Sequence, residues 1–243
     1  MTSKELIDVF LLITEKKLKV LGFKDEDINK VREFVRLGVL YDKIEEDTGM
    51  SFYELINKYG LNHIKSRYPV FYEYIERWNI LPGTVGWDYF YNLAYWQHKA
   101  LEIQHNKPDP TYIELYQVSY YKGGYTMCLL EYILTQKKCH NEDVALRVGA
   151  TIQFIDDYVD APEDKVKGIK TLFTVGYWKA YDLYNYIKDT YLIAKKTNYK
   201  LYYDLLDDVL TLFPLFNAMQ FLQMLKTFKK SATQIIKSNF GLI

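Results

Sequence analysis

Residues 152–160 read Ile-Gln-Phe-Ile-Asp-Asp-Tyr-Val-Asp, and residues 163–171 read Glu-Asp-Lys-Val-Lys-Gly-Ile-Lys-Thr. The first stretch places three carboxylates, those of Asp156, Asp157 and Asp160, within five residues of a mainly apolar helical segment. Because an α-helix has 3.6 residues per turn, Asp156 and Asp160 share one face and Asp157 lies beside them. The spacing therefore predicts a concentrated acidic surface on one helix.

This acidic surface favours a metal site. Carboxylates packed so closely repel one another and resist burial unless a cation neutralises them. Mg²⁺ suits clustered carboxylates that also hold a phosphate group. Gln153 lies one turn before the cluster on the same side of the helix, and the cations that a bound diphosphate needs follow the cluster: Lys165, Lys167 and Lys170. The alternative is an exposed acidic helix end without a ligand.

The composition restricts the class of protein. With 243 residues the chain can bury a substantial core, and we expect one domain over residues 1–243. Lys and Arg total 31, as do Asp and Glu, so no excess of positive charge points to nucleic acid. We expect no transmembrane segment, because no apolar run reaches the length of a bilayer span. Two cysteines and no signal-like N-terminus lead us to expect a cytoplasmic protein.

Aromatic residues make up 17% of the chain, including 24 tyrosines. Their π faces can line a cavity and stabilise a cation that forms no hydrogen bonds. A compositional drift that enriches Lys, Asn, Ile and Tyr together explains the same content equally well. The aromatic residues therefore support a site that other residues define, but they do not locate one.

Apolar residues recur at helical spacing along nearly the whole chain, and no segment alternates convincingly with a period of two. The pattern therefore predicts an all-α, single-domain helical bundle. We expect helices at about 3–20, 26–47, 51–78 with a break near Gly60, 86–106, 109–136, 141–161, 172–195 and 199–238.

Three parts of the sequence resemble the trans-isoprenyl diphosphate synthases of the class I isoprenoid synthase superfamily. Residues 153–160, with the following Lys-Gly-Ile-Lys-Thr, resemble the second aspartate-rich motif of that family. Residues 121–125, Tyr-Lys-Gly-Gly-Tyr, resemble its Lys-Thr-Gly segment. Gln97 precedes Lys122 by 25 residues (122 − 97), which is close to the family's Gly-Gln to Lys spacing. The similarity covers roughly residues 90–178.

The resemblance implies a fold, a cofactor and a set of roles. The fold is a helical bundle around a central active-site cavity, and the oligomer is a homodimer. The cofactor is Mg²⁺, up to three ions, bound by Asp156, Asp157 and Asp160. The residues that contact the prenyl diphosphate are Lys122, Lys165 and Lys170, together with Gln153 and Gln97.

The N-terminal half departs from the family, because it has neither a first DDxxD helix nor the segment that binds isopentenyl diphosphate. Its best acidic candidate is residues 41–47, Tyr-Asp-Lys-Ile-Glu-Glu-Asp, in which Asp42, Glu45 and Glu46 share a helix face. It is more similar to the acidic motifs of squalene and phytoene synthases. We expect Asp42 and Glu46 to be further metal ligands and Arg36 a further diphosphate contact. A solvated acidic helix end is the alternative.

These features together predict a Mg²⁺-dependent class I terpene synthase, which ionises a linear prenyl diphosphate and then cyclises or deprotonates the allylic carbocation. The missing isopentenyl diphosphate segment favours this reaction, whereas the form of the second motif favours a chain-elongating prenyltransferase. The sequence is also compatible with a head-to-head condensing enzyme of the squalene type, with a noncatalytic subunit of a synthase and with a helical scaffold that has no site.

Overall fold

The computed structural model describes Lys19 and residues 24–199, 202–211 and 213–214. These residues form helices joined by turns, and none of them lies in a strand. The helices are α1 (Asp25–Thr48), α2 (Phe52–Arg67), α3 (Pro69–Arg77), α4 (Val85–Ala100), α5 (Tyr112–Thr135), α6 (Glu142–Lys167) and α7 (Ala180–Lys196). A π-helical segment, Leu101–Asn106, follows α4, and residues 202–211 are also helical. The all-α expectation is confirmed, whereas the helix expected at 3–20 and most of the one at 199–238 lie outside the described residues.

Local polar chemistry fixes several helix ends. The side chains of Ser51, Thr111 and Asn141 accept hydrogen bonds from backbone N–H groups in the first turns of α2, α5 and α6. Such caps satisfy donors that have no partner within the helix. Gly168 ends α6 with a φ of 75°, a conformation that glycine adopts without steric cost.

Three helix boundaries differ from the sequence-based expectation. Gly60 does interrupt α2 with a φ of 74°, but a second break at Tyr68 separates α2 from α3. Helix α6 continues through Pro162 to Lys167 rather than ending at residue 161. Residues 172–179 form turns, so α7 begins at residue 180 instead of 172.

An aromatic core joins α1 to α2, α3 and α4. The ring centroid of Phe52 on α2 lies 5.0 Å from those of Tyr41 on α1 and Phe71 on α3. It also lies 5.4 Å from that of Phe90 on α4. Aromatic pairs of this kind contribute about 0.5–1.5 kcal/mol each beyond the burial of their area. Because Tyr41 is anchored in this cluster, the backbone of the next residue, Asp42, is held in place, whereas its exposed side chain can still change conformation.

Helices α5 and α6 cross with their backbones in contact. A Cβ atom built on Gly149 would lie 2.1 Å from the carbonyl oxygen of Gly123, and one built on Gly123 would lie 2.4 Å from the carbonyl oxygen of Gly149. Any larger residue would have to push the two helices apart. Helix α4 packs against α5, and α7 packs against α6. In the described part of the chain, no helix has both the length and the apolar character that crossing a bilayer requires.

Candidate active site

The acidic cluster on α6 is held by hydrogen bonds. Asp157 is only 7% exposed. Its Oδ2 atom accepts a hydrogen bond of 2.6 Å from the Ser119 hydroxyl, and its Oδ1 atom accepts one of 2.8 Å from Nε2 of Gln153. The same amide nitrogen lies 3.5 Å from Oδ2 of Asp156. Gln153 and Ser119 therefore orient the first two carboxylates of the motif.

The carboxyl groups of this cluster resist ionisation. Burial raises the pKa of Asp156 to about 7, and the negative charges of Asp157 and Asp160 add to the rise. Burial and the same two neighbours also raise the pKa of Asp164 to about 7. Solvent nevertheless reaches the Asp156 side chain. The cluster thus carries more negative charge than its surroundings compensate.

Lys122 on α5 acts on both acidic helices. Burial raises the pKa of four carboxyl groups, and in each of them the positive charge of Lys122 opposes the rise. These groups are Asp42 and Glu45 on α1 and Asp156 and Asp157 on α6. Since a charge effect of this kind falls off with distance, Lys122 is close enough to both acidic faces for its charge to act on each. Four helices, α2 to α5, separate these two acidic faces in the sequence. The fold nevertheless brings both faces close to the same lysine.

Lys122 also lines a cavity of about 210 Å³ between α1, α4 and α5. Asp42 and Gln97 supply the other strongly polar groups of its lining. Most of the remaining wall is apolar and comes from Phe34, Leu37, Tyr41, Phe90, Leu93 and Leu129. The cavity therefore combines an apolar interior with a cation, a carboxylate and an amide.

The acidic residues of α1 do not act alike. Burial raises the pKa of Asp42, which faces Lys122, and Glu46 adds to the rise. Glu45 instead accepts a hydrogen bond of 2.8 Å from the backbone N–H of Phe52 and so helps to start α2. Glu46 is exposed. Arg36 is also exposed, and it is separated from Asp42 by about 120° around the helix axis, so it is on a different face from the cavity.

The three lysines that follow the acidic cluster, two in the last turn of α6 and one after it, have differing surroundings. The ammonium group of Lys170 donates a hydrogen bond of 2.7 Å to the carbonyl oxygen of Lys107, and its backbone N–H donates one of 2.9 Å to that of Gln104. Lys170 therefore fastens the loop after α6 to the segment before α5. Lys167 forms an ion pair of 2.8 Å with Glu163, whereas Lys165 extends into solvent.

Three residues near these groups were not predicted from the sequence. Ser119 could have been found, because it lies three residues before Lys122 on the same helix and faces the same side. Asp164 extends the spacing of the motif by one more turn beyond Asp160. His105 lies in the π-helical segment, and its pKa is lowered by burial and by the charge of Lys122. The residues around His105 in the sequence do not indicate that it lies near Lys122.

Across the ranges described here, no three His, Cys, Asp or Glu side chains converge into a group that could hold a metal ion by itself. No family model matches the chain, and neither a curated protein nor a solved structure matches it significantly. A functional assignment must therefore rest on the residues of this chain.

Proposed function

We propose that the protein is a Mg²⁺-dependent class I terpene synthase that acts on a linear prenyl diphosphate. The observation that carries the proposal is the position of Lys122, which lines a mainly apolar cavity together with Asp42 of α1. Its charge also acts on the carboxyl groups of Asp156 and Asp157 on α6. A diphosphate carries several negative charges at one end of a long apolar chain. Such a molecule matches a cation beside an apolar cavity better than any uniformly polar ligand does.

The donor atoms around Lys122 fit Mg²⁺. They are carboxylate oxygens. Burial, together with the negative charges of Asp157 and Asp160, raises the pKa of Asp156 to about 7, so an added cation is favoured there. Mg²⁺ commonly uses one or two protein carboxylates and completes its shell with water and substrate phosphate oxygens. A preformed group of three protein ligands is therefore unnecessary. Asp156, Asp157 and Asp160 on α6 and Asp42 on α1 are the residues that would hold it, with Glu46 at the rim.

When bound with the substrate, Mg²⁺ supplies charge neutralisation that makes diphosphate a better leaving group. The protein's own groups do the rest. The Lys122 ammonium stabilises the charge that develops on the departing oxygen. Ser119 and Gln153 keep Asp157 in one orientation, so no reorganisation is needed during the reaction. Gln97 lines the cavity beside Lys122 and can donate to the diphosphate.

The cavity wall accounts for the fate of the prenyl chain. Loss of diphosphate creates an allylic carbocation, which water would quench, so the apolar lining has to exclude solvent. Phe34, Tyr41 and Phe90 present aromatic rings there, and their π faces stabilise a cation that cannot form hydrogen bonds. Cyclisation or loss of a proton then gives a hydrocarbon product.

A chain-elongating prenyl diphosphate synthase is the second candidate, favoured by the Gln-x-x-Asp-Asp-x-x-Asp form of the α6 motif. Such an enzyme would join isopentenyl diphosphate to the same carbocation. It shares the first step with a terpene synthase and differs in the second substrate, so one assay separates the two.

The test is to incubate the purified protein with Mg²⁺ and geranyl, farnesyl or geranylgeranyl diphosphate, each with and without isopentenyl diphosphate, and to analyse products by mass spectrometry. A terpene synthase forms a hydrocarbon or alcohol without isopentenyl diphosphate. A longer diphosphate formed only in its presence identifies the prenyltransferase instead.

Two variants control the assay. Lys122→Gln removes the proposed leaving-group contact, whereas Lys188→Gln removes an exposed lysine on α7. We expect turnover to be lost only in Lys122→Gln. Mg²⁺ with inorganic pyrophosphate should also raise the melting temperature of the wild type, since a ligand of the folded state stabilises it. Absence of both turnover and this thermal shift would rule out both candidates.

A further inference from the structure

A second recess lies on another face of α1. It has a volume of about 540 Å³ and runs between α1 and the junction of α2 with α3. From α1 it is lined by Leu40, Lys43, Ile44 and Asp47, whose spacing of i, i+3, i+4 and i+7 defines one helix face. Asp42 lies on the face that lines the first cavity. Helix α1 therefore separates the two recesses.

The second recess, here called the α1–α3 groove, is amphiphilic. Ile44 and Phe71 in its wall are 2% and 1% exposed, so its floor belongs to the apolar core. Lys43 and Arg67 lie at its exposed rim, together with one carboxylate, that of Asp47. No ion pair within 4 Å engages either cation in the part of the chain that the structure describes. The polar rim thus carries two positive charges and one negative charge.

These charges select the kind of anion. A single negative charge balances the rim, whereas a phosphate monoester brings −1.5 to −2 at neutral pH and would leave excess negative charge beside Asp47. A carboxylate has one charge and matches the planar guanidinium of Arg67 with two parallel hydrogen bonds. The volume of about 540 Å³ lies within the range that holds small organic ligands.

We propose that the α1–α3 groove binds an aliphatic monocarboxylate, with the carboxylate between Lys43 and Arg67 and the hydrocarbon chain over Leu40, Tyr68 and Val70, the accessible apolar residues of its wall. Neither half of such a ligand suffices alone. A small carboxylate leaves this apolar wall in contact with water, and a neutral alcohol leaves the two cations without an anion.

The test uses octanoate as the probe, titrated into the full-length protein by calorimetry, with acetate and octanol as the controls for tail and head. We expect octanoate to bind and both controls to bind at least about 10-fold more weakly, because acetate lacks the buried chain and octanol lacks the charged hydrogen bonds. The variant Lys43→Gln/Arg67→Gln should weaken octanoate binding by a similar factor, whereas Lys188→Gln should leave it unchanged. Both altered residues are exposed, so the fold is expected to persist, which circular dichroism verifies.

Two results would overturn the proposal. One is equal binding of octanoate by the wild type and the double variant, or no binding at all. The other is binding to phosphatidylglycerol vesicles that requires both cations while octanoate does not bind, which would assign the rim to a membrane surface. The groove and the first cavity occupy different faces of α1, so octanoate binding should persist in Asp156→Asn. A failure of octanoate to bind would therefore not count against the proposed synthase activity.

Discussion

The acidic faces of α6 and α1 approach the same lysine, yet the protein holds them differently. On α6, Asp157 is buried and receives hydrogen bonds from Ser119 and Gln153. On α1, Asp42 is exposed, and its neighbour Glu45 is used to start the next helix. Asp42 on α1 and Asp156 on α6 are both open to solvent. The difference is that α6 also holds a buried carboxylate, that of Asp157, which two side-chain hydrogen bonds fix in place.

The difference teaches which half of the proposed site is preorganised. A catalytic group is most effective when packing and hydrogen bonds already hold it in its working geometry. The α5–α6 pair meets this condition, because its backbones touch at Gly123 and Gly149. Asp42 can adjust its position when a ligand arrives. We therefore expect α6 to determine whether the reaction occurs and α1 to modulate it.

The largest effect is expected from Gly149→Ala, which attacks the α5–α6 crossing. The new Cβ atom would lie 2.1 Å from a backbone oxygen of Gly123 that cannot move unless the helices separate. We expect the free energy of unfolding, measured in urea, to fall by about 3 kcal/mol. The matched control is Gly38→Ala on α1, where no atom lies within 4 Å of the new Cβ. Because alanine favours a helix, this control should gain about 0.5–1 kcal/mol. Equal losses in both variants would contradict the close crossing.

The second prediction compares the two acidic faces in turnover. We expect Asp156→Asn to lower kcat by at least about 100-fold, since even residues that only orient metal ligands contribute 10- to 100-fold. Asp42→Asn should lower it by about 10-fold. Glu45→Gln should retain turnover, because its oxygen serves the N–H of Phe52. Steady-state kinetics, with whichever prenyl diphosphate the product assay shows to be turned over, measures all three. Equal losses for Asp156→Asn and Asp42→Asn would show that the two faces do not differ.

The sequence predicted the features that depend on residues close together in the chain. The all-α architecture follows from periodicity, and the proximity of Gln153 to Asp156 and Asp157 follows from helical spacing. The predicted start of α6 at Asn141 is an equally local signal, because the side chain of that residue caps the helix.

Features that depend on tertiary contacts were not predictable. Lys170 has the residue type of a phosphate contact, but its ammonium group bonds a carbonyl oxygen 63 residues away. The region after α6 looked helical, yet Thr171 and Thr174 exchange hydrogen bonds between side chains and backbone, which stabilises a turn instead. The role of Gly149 needs the position of Gly123, which its own neighbours in sequence do not indicate.

The third prediction tests whether the hydrogen bond to Asp157 is functional. Ser119→Ala removes a donor 2.6 Å from a buried carboxylate, so we expect a loss of about 1–3 kcal/mol in stability and of about 10- to 100-fold in kcat. The matched control is Ser51→Ala, because the two serines are similarly buried: Ser51 is 3% exposed and Ser119 is 1% exposed. Ser51 caps α2, so its loss should cost about 1 kcal/mol without changing kcat. An unchanged kcat in Ser119→Ala would show that the hydrogen bond from Ser119 to Asp157 is structural and does not contribute to catalysis.

The smallest expected effect is a pH dependence of stability in the metal-free protein. The pKa of Asp156 is about 7 in the folded state, well above the value of about 3.9 for an unfolded aspartate. Between about pH 4 and pH 7 the folded protein therefore binds more protons than the unfolded one, and this contribution to stability is lost as the pH rises through about 7. Because solvent reaches Asp156 and screens its charge, we expect a decrease of only about 1 kcal/mol.

Urea unfolding at pH 5 and pH 7.5 in EDTA, at constant ionic strength, measures this difference. Asp156→Asn should reduce the decrease, whereas Asp189→Asn, on the exposed side of α7, should leave it as in the wild type. Asp42→Asn should reduce it less than Asp156→Asn does, because the α6 face holds the more crowded negative charge. If Asp42→Asn reduced the decrease in stability more than Asp156→Asn does, the comparison would be reversed. The carboxyl groups of α1, rather than those of α6, would then account for most of the pH dependence.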